Sequence, residues 1–414
     1  MTARQAILTR YTYLPGNLEL VFSSLCALLA ENPGGVNWSE FSQDEWELLH
    51  RIVLQEDVSA MVYYLLRTEP EAYQLASFDR QIYQLFAEKE ALVAVRNAVI
   101  FRQLERLLVV LGKHEIPVVL LKGADLARSL YPEPGLRSMG DLDLLVPKER
   151  FEKALDVVKT VGYYEDIPEA SPGFDRTLSH HVHLRKEGTV ATWLELHWTL
   201  VASPAFRYAV SMDWFWQNLE LRKDWHGNPL PVAQDTALVL KPTANLLYLA
   251  AHQMLQHGGE ELSLRWLLDL HRLVERRRED IDWQVLVAQA GQFGWCGALW
   301  VALEAAQACF ATGLPAGWLV ALRSQVGPED ALVDLNTEPA PTRMLVVWHT
   351  LGSLNWTDRL RLLLARAFPS PAYVRWRYPS RLAWFWPLSY VSFWIDVAQD
   401  SWRTLRHILR SPSK

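Results

Sequence analysis

The feature that most constrains this chain is the segment at residues 140–146 (GDLDLLV), where aspartate and leucine alternate before an apolar run. Side chains in a β-strand point alternately to its two faces, so Asp141 and Asp143 share one face while Leu142 points to the other. Two neighbouring carboxylates repel each other unless a cation lies between them. Oxygen ligands of this kind suit Mg²⁺ or Mn²⁺. Alone the pattern is weak, because exposed strands often carry it.

A further acid stands in an apolar context at Glu195, within the segment TWLELHW of residues 192–198. Strand alternation places Glu195 on one face with Trp193 and His197. A carboxylate buried without a partner is costly, so Glu195 is expected to have one. If its strand lies beside that of Asp143, Glu195 becomes a third metal ligand. Otherwise it pairs with a nearby Arg or Lys, or lies on a solvated face.

Lys122 and Gly123 follow a short apolar run, residues 118–121, that is typical of a buried strand ending in a turn. Glycine at such a turn lets the backbone approach a phosphate, and the N–H groups that begin the next helix can bind it. Lys122 and Arg137 are candidates to neutralise phosphate charge. The alternative is an ordinary strand end and, for Arg137, a solvated loop side chain.

The spacing of apolar residues divides the chain into helical and mixed segments. Residues 17–112 have helical spacing, residues 116–200 predict strand, helix, strand, helix and two strands, and helical spacing returns from residue 233. We therefore expect an α+β protein, in which N-terminal helices and a C-terminal helical bundle flank a small mixed-sheet module. The expected divisions are residues 1–113, 114–232 and 233–325, then a helical, aromatic-rich tail at 326–414.

Composition limits the possible functions. A net charge of -6 gives no support to bulk binding of nucleic acid, which usually depends on a strongly basic surface. Cys26, Cys296 and Cys309 are widely separated in the sequence, so we do not expect a disulfide scaffold. This cysteine usage predicts that the protein resides in a reducing compartment. The N-terminal residues lack the apolar segment of a signal peptide, which predicts a cytoplasmic location.

Three histidines, His180, His181 and His183, cluster before the second acidic strand, and His181 and His183 share a face. A zinc site would need further ligands, and no cysteine is near in sequence, so contact with substrate or phosphate is the favoured functional interpretation. His252 and Asp269 fall on predicted helices and are candidates to line a cleft. For each histidine, an ordinary structural role is the simpler alternative.

Residues 382–397 (LAWFWPLSYVSFWIDV) are mainly apolar and rich in aromatic side chains. The run is shorter than the roughly 20 apolar residues that span a bilayer, and Pro387 interrupts it. A peripheral membrane or protein contact is one interpretation, since Arg403, Arg406 and Arg410 follow. A terminal helix packed on the protein is the favoured alternative, because these arginines are scattered rather than clustered.

Several segments, in order, resemble a family of uncharacterised bacterial nucleotidyltransferases: LLKGADLARSLYPEPGLRSMGDLDLLV, WLELHW, YLAAHQMLQHG and LRWLLDLHRLVE. The resemblance covers residues 116–315, and PSPAYVRWRYP near the C-terminus resembles the family's tail. Its most specific element is the combination of KGA, RxxxDxDLLV and ELHW in this order. The resemblance implies the nucleotidyltransferase fold of the DNA polymerase β-like superfamily.

In that superfamily a glycine and a small residue follow the first strand, a DxD pair lies on the next strand, and a third acid lies on a later one. The resemblance therefore implies that Asp141, Asp143 and Glu195 are catalytic and bind Mg²⁺ or Mn²⁺. The expected nucleotide-binding residues are Lys122, Gly123, Ala124, Arg137 and His197. Ala124 departs from the pattern, because the superfamily often has a serine there.

The implied reaction moves a nucleoside monophosphate from an NTP, such as ATP, to an acceptor, with release of pyrophosphate. The acceptor is a small molecule, a sugar or a protein, and the sequence does not distinguish these. The alternative is a module of the same fold that binds a nucleotide or a partner without turnover.

Overall fold

A computed structural model describes residues 3–170, 179–201, 210–222, 226, 237–257, 262–327, 351–352, 354–379 and 387–410. The described chain opens with five α-helices: α1 (Ala3–Thr9), α2 (Leu18–Leu29), α3 (Gln43–Gln55), α4 (Ser59–Thr68) and α5 (Arg80–Lys113). Ser42 and Glu45 form a reciprocal capping box at the start of α3, and Asp79 caps α5. The helical character expected of this region is confirmed.

Strands follow within the described residues: β1 (Val118–Leu121), β2 (Leu142–Leu145), β3 (Tyr164–Glu165), β4 (His181–Lys186), β5 (Thr192–His197), β6 (Leu219–Leu221) and β7 (Ala237–Leu240). They form one mixed sheet in the order β3-β4-β5-β2-β1-β7-β6. Helix α6 (Gly123–Ser129) follows β1, and α7 (Phe151–Thr160) follows β2. Strand β2 pairs antiparallel with β1 and parallel with β5, so the two acid-bearing strands are neighbours. The predicted α+β fold class is confirmed.

The two faces of the sheet belong to different cores. Leu142, Leu144 and Leu194 pack in a core that also contains buried residues of α5 and α7. Val119 and Leu145 point to the other face and pack in a larger core, built mainly from the N-terminal and C-terminal helices. The carboxylates of β2 and β5 lie on this second face because strand side chains alternate. They therefore face the helices rather than bulk solvent.

The segment at residues 238–240 was expected to be helical, and this expectation is wrong. Residues 237–240 form β7, which pairs parallel with β1, Val119 opposite Leu238. The run is four apolar residues long, too short for its periodicity to separate a strand from a buried helix. Pro242 then begins the next helix. The sheet thus extends past residue 232, the expected end of the mixed-sheet module.

The other helices that the structure describes, in chain order, are α8 (Met212–Gln217), α9 (Pro242–Ala251), α10 (Leu264–Arg277), α11 (Trp283–Phe293), α12 (Cys296–Phe310), α13 (Trp318–Arg323), α14 (Trp356–Ala367), α15 (Pro371–Arg377) and α16 (Ser389–Arg410). A π-helical turn, His252–Gln256, continues α9. Among the described residues, none of the helices combines the length and apolar character needed to cross a bilayer. Of the aromatic run at 382–397, residues 382–386 lie outside the described residues.

Candidate active site

A cavity of about 390 Å³ is lined by residues of the sheet, its loops and the α9–α10 region. Six of the predicted site residues line it: Lys122, Gly123, Arg137, Asp141, Asp143 and Glu195. The two other predicted residues are not among its lining residues. Ala124 packs its methyl group in the core shared with α5 and α7. His197 is 1% exposed and contacts the carboxylates of the site.

The acids come together through strand register. Asp143 on β2 is directly opposite Glu195 on the parallel strand β5, and Glu195 is directly opposite His183 on β4. Residues opposite each other on adjacent strands project from the same face. Asp141 precedes β2 rather than lying in it, and its side chain lines the same cavity. The structure thus brings the three acids into the lining of one cavity.

Two basic groups contact the paired acids. Lys122 Nζ lies 2.6 Å from Asp143 Oδ1 and 3.7 Å from Glu195 Oε2. His197 Nε2 donates to Asp143 Oδ1 at 3.1 Å and lies 3.4 Å from Glu195 Oε2. Burial disfavours ionisation of Asp143, but Lys122 and His197 outweigh it and hold its pKa below the ordinary value. The same partners outweigh burial at Glu195, whose pKa is well below the ordinary range.

Asp141 is the exception among the three acids. Burial, followed by the charges of Asp143 and Glu195, raises the pKa of Asp141 to about 7, and Lys122 offsets this only in part. Lys122 and His197 therefore do not fully compensate the negative charge of the three acids when all three are ionised. An added cation would relieve that imbalance.

The turn after β1 is strained at Lys122 rather than at Gly123. Lys122 has φ 45° and ψ -124°, a combination that side-chain-bearing residues rarely adopt. Gly123 is required for space: a Cβ there would lie 2.7 Å from Arg137 Nη1 and 2.9 Å from Met139 Cγ. The turn thus directs the Lys122 amine towards Asp143. The absence of a side chain at Gly123 lets the 137–139 loop pack against the backbone of Gly123.

Arg137 has a protein partner. Its Nε and Nη2 donate to the carboxylate of Asp269 on α10, at 2.9 and 2.7 Å, and Tyr131 donates to the same carboxylate at 2.8 Å. Asn97 Nδ2 donates to the carbonyl of Arg137, which fixes the loop further. Asp269, expected to line the cleft, is buried in this ion pair. A contact of Arg137 with phosphate stays a prediction.

The three clustered histidines lie beside the acids. His181 Nδ1 is 2.8 Å from His180 Nε2, and His181 Nε2 is 2.8 Å from His183 Nε2. His183 Nδ1 is 3.4 Å from Glu195 Oε1. Burial and the charges of His197 and neighbouring groups hold the pKa of His181 well below its ordinary value, so this ring stays neutral.

The helical side of the cavity was only partly predicted. His252 lines the cavity, as expected, and so do Gln256, His257 and Trp266, which sequence reasoning missed. His252 and Gln256 lie in the π-helical turn, a feature that is frequent at functional sites. The signal in the sequence is the set of polar residues in YLAAHQMLQHG, which interrupts an otherwise apolar helix.

The fold and the site together define an α+β protein with an acid cluster on one face of its mixed sheet, at the neighbouring strands β2 and β5. A family model described as uncharacterised nucleotidyltransferase matches residues 42–311, well over half of the chain. The chain belongs to this uncharacterised nucleotidyltransferase family, and the resemblance noted in the sequence is confirmed. Membership supports a role in nucleotidyl transfer. No curated protein and no solved structure matches the chain at a significant level.

Proposed function

We propose that this protein is a metal-dependent nucleotidyltransferase, which moves a nucleoside monophosphate from an NTP to an acceptor hydroxyl or phosphate and releases pyrophosphate. The observation that carries the proposal is the register of Asp143 opposite Glu195, with Asp141 lining the same cavity. In this proposal the three residues are the catalytic and metal-binding acids. This register supports the proposal because it places acids from two separate segments of the chain next to each other.

The residues present fit a divalent ion. Carboxylate oxygens are hard ligands and suit Mg²⁺ or Mn²⁺. Asp143 and Glu195 are held as anions by Lys122 and His197, while Asp141 has a pKa of about 7 because burial and these two anions oppose its charge. When bound, the ion would polarise phosphoryl oxygens and lower the pKa of the attacking group.

The chain supplies positive charge beside the acids. The Lys122 side chain is 14% exposed and Lys122 lines the cavity, so we assign its amine to the nucleotide phosphates as well as to Asp143. Arg265, which is ion-paired with Asp57, lines the cavity too and is a further candidate. His197 is a positioning residue, because it contacts the acids from a buried position. Backbone binding of phosphate by Gly123 and Ala124 stays a prediction.

A non-catalytic module that binds a nucleotide or a partner is the second candidate. It is favoured by Ala124, whose side chain is buried in the core and offers no hydroxyl where the superfamily often has serine. Turnover separates the two candidates: only the transferase releases pyrophosphate. In either case we expect the protein to act in the cytoplasm, where NTPs are abundant, and the acceptor stays to be identified.

The experiment is calorimetric titration of ATP, GTP, CTP and UTP into the full chain with Mg²⁺ or Mn²⁺. We compare wild type, the double variant Asp141→Asn/Asp143→Asn, and the control Asp156→Asn, whose side chain is exposed on α7. Metal-dependent binding of one nucleotide that only the double variant loses would support the acid cluster. Absence of binding to every nucleotide with both metals would overturn the proposal.

A further inference from the structure

Two histidines of one strand and a glutamate of the next strand converge at the edge of the cavity. His181 and His183 are two residues apart on β4, so both rings lie on the same face. Their Nε2 atoms are 2.8 Å apart. His181 Nε2 lies 3.7 Å and His183 Nδ1 lies 3.4 Å from Glu195 Oε1. One ligand atom from each residue lies within 4.8 Å of the others, which is close enough to share a metal ion.

The hydrogen bond on the far side of His181 orients this group. A neutral imidazole carries one N–H, and here Nδ1 of His181 can donate it to His180 Nε2 at 2.8 Å. The lone pair of His181 Nε2 then points towards His183 and Glu195. Histidines that bind metals are usually held through their other ring nitrogen in this way. His180 therefore holds the His181 ring in the orientation that metal binding would need.

We propose that His181, His183 and Glu195 bind a first-row transition metal ion such as Zn²⁺. Imidazole nitrogen suits Zn²⁺ and its neighbours, whereas Mg²⁺ prefers all-oxygen sites, so the donor set differs in kind from the acid cluster. The His183 side chain is 42% exposed, which leaves the ion open to a water molecule or a substrate. Glu195 is shared with the acid cluster, and the inference depends on the proposed function only through that residue.

The test uses Co²⁺ as a spectroscopic probe on the full chain after treatment with a chelator. Saturation at one equivalent, with visible d–d bands shifted and intensified relative to aqueous Co²⁺ and reversed by Zn²⁺, is the expected result. A spectrum that remains that of aqueous Co²⁺ at one equivalent would overturn the proposal. This readout needs no nucleotide and no turnover.

Variants locate the ion. We expect His181→Gln and His183→Gln each to weaken Co²⁺ binding by more than the roughly 10–100-fold that loss of an outer-shell partner costs. The control His114→Gln changes an exposed histidine outside the cavity and should bind as wild type does. His183 is partly exposed, so its substitution should leave the fold intact. Unchanged affinity in His183→Gln would contradict the assignment.

The variant Asp141→Asn separates this inference from the proposed function. It should retain the Co²⁺ spectrum, because Asp141 is not among the three ligands, while losing Mg²⁺-dependent nucleotide binding. Loss of nucleotide binding with retained Co²⁺ supports both proposals. Retained nucleotide binding would overturn the acid cluster alone, and loss of the Co²⁺ bands would overturn the separate histidine site alone.

An independent feature is the exposed apolar face of α16. Leu388, just before the helix, and Val391, Trp394 and Ile395 within it are 57%, 49%, 47% and 50% exposed. Their spacing of three or four residues places them on one side of the helix, and Trp402, 55% exposed, continues that side. Single exposed apolar residues are normal, but a contiguous apolar face marks an interaction surface.

Charge indicates what this face binds. Residues 354–379 and 387–410 contain no Lys or Glu, and their arginines outnumber their aspartates: Arg359, Arg361, Arg366, Arg375, Arg377, Arg403, Arg406 and Arg410 against Asp358, Asp396 and Asp400. We infer that α16 lies on an anionic lipid surface. Tryptophan favours the membrane interface, and arginine is attracted to anionic head groups. An amphipathic helix of this kind binds in the plane of the interface.

Co-sedimentation of the full chain with vesicles tests this inference. Binding to vesicles that contain phosphatidylglycerol, reduced by high salt and by replacement with phosphatidylcholine, is expected. Val391→Asp/Ile395→Asp should abolish it, whereas Ser392→Asp, an exposed site on the same helix, should retain most of it. The inference fails if the wild type does not sediment with anionic vesicles, or if the double variant sediments with them as the wild type does.

Discussion

Arg137 and Asp269 form a bidentate ion pair between positions 132 residues apart, with Nε and Nη2 at 2.9 and 2.7 Å from the two carboxylate oxygens. Both side chains are buried, at 6% and 2% exposure. The pair joins the loop that precedes Asp141 to helix α10. The acid cluster is therefore positioned by the helical part of the chain as well as by the sheet.

Substitution Asp269→Ala is expected to destabilise the fold strongly. It leaves the Arg137 guanidinium buried without its carboxylate, and breaking such a pair typically costs about 3–5 kcal/mol. Urea denaturation followed by circular dichroism measures the free energy of unfolding. The control Glu133→Ala removes the partner of Arg67 from an exposed pair and should cost no more than about 1 kcal/mol. Equal effects of the two changes would contradict the structural role of the ion pair.

The alternation of side chains along strands was sufficient to predict which acids share a strand face, but not that the two strands are neighbours. It placed Asp143 on one face of its strand, and Glu195 and His197 together on one face of another. Whether these strands are neighbours was left open by the sequence pattern, because strand order is a tertiary property. The register that sets Asp143 opposite Glu195 is seen only in the structure.

Other features depend on tertiary contacts that no local pattern encodes. Lys122 was predicted as a phosphate contact, but its ion pair with Asp143 arises from a strained backbone turn. The sequence around Arg137 is compatible with a solvated loop side chain, and its partner Asp269 comes from the distant helix α10. Strand β7 was missed because four apolar residues show no usable period.

Substitution Gly123→Ala tests the close contact behind Lys122. Alanine is ordinarily better than glycine in a helix, yet its Cβ would lie 2.7 Å from Arg137 Nη1, on a guanidinium fixed by Asp269. We expect a loss of about 1–3 kcal/mol in the free energy of unfolding, as for other overpacked sites. Gly140→Ala is the control and should be nearly neutral, since a Cβ at Gly140 would have no described atom within 4 Å. A neutral Gly123→Ala would show that Arg137 can move.

Two substitutions of Lys122 distinguish the contribution of its amine to stability from the cost of its strained backbone conformation. Lys122→Ala and Lys122→Gly both remove the ion pair with Asp143, but only glycine adopts φ 45° without strain. The glycine variant should therefore be more stable than the alanine variant by on the order of 1 kcal/mol. Thermal unfolding of the two variants side by side gives the difference. The opposite order would mean that the turn relaxes once the amine is removed.

The pKa of Asp141 predicts how stability depends on pH in the absence of divalent metal. Its folded-state pKa of about 7 lies above the ordinary aspartate value, so between the two values the folded state binds more protons than the unfolded state. Stability therefore falls as pH rises through this window, and the full penalty is present above pH 7. Asp141→Asn removes the penalty, so it should stabilise the metal-free protein at pH 8.5, by on the order of 2–4 kcal/mol, and have little effect at pH 4.

Chemical denaturation with a chelator at both pH values measures this difference, with the exposed Asp156→Asn as the control that should change neither value. Millimolar Mg²⁺ at pH 8.5 should then stabilise the wild type more than Asp141→Asn, because a bound cation relieves the repulsion that the variant lacks. If the variant gains no stability at pH 8.5, the three acids do not repel one another as the geometry requires. If Mg²⁺ stabilises both proteins equally, Asp141 is not a ligand of the ion.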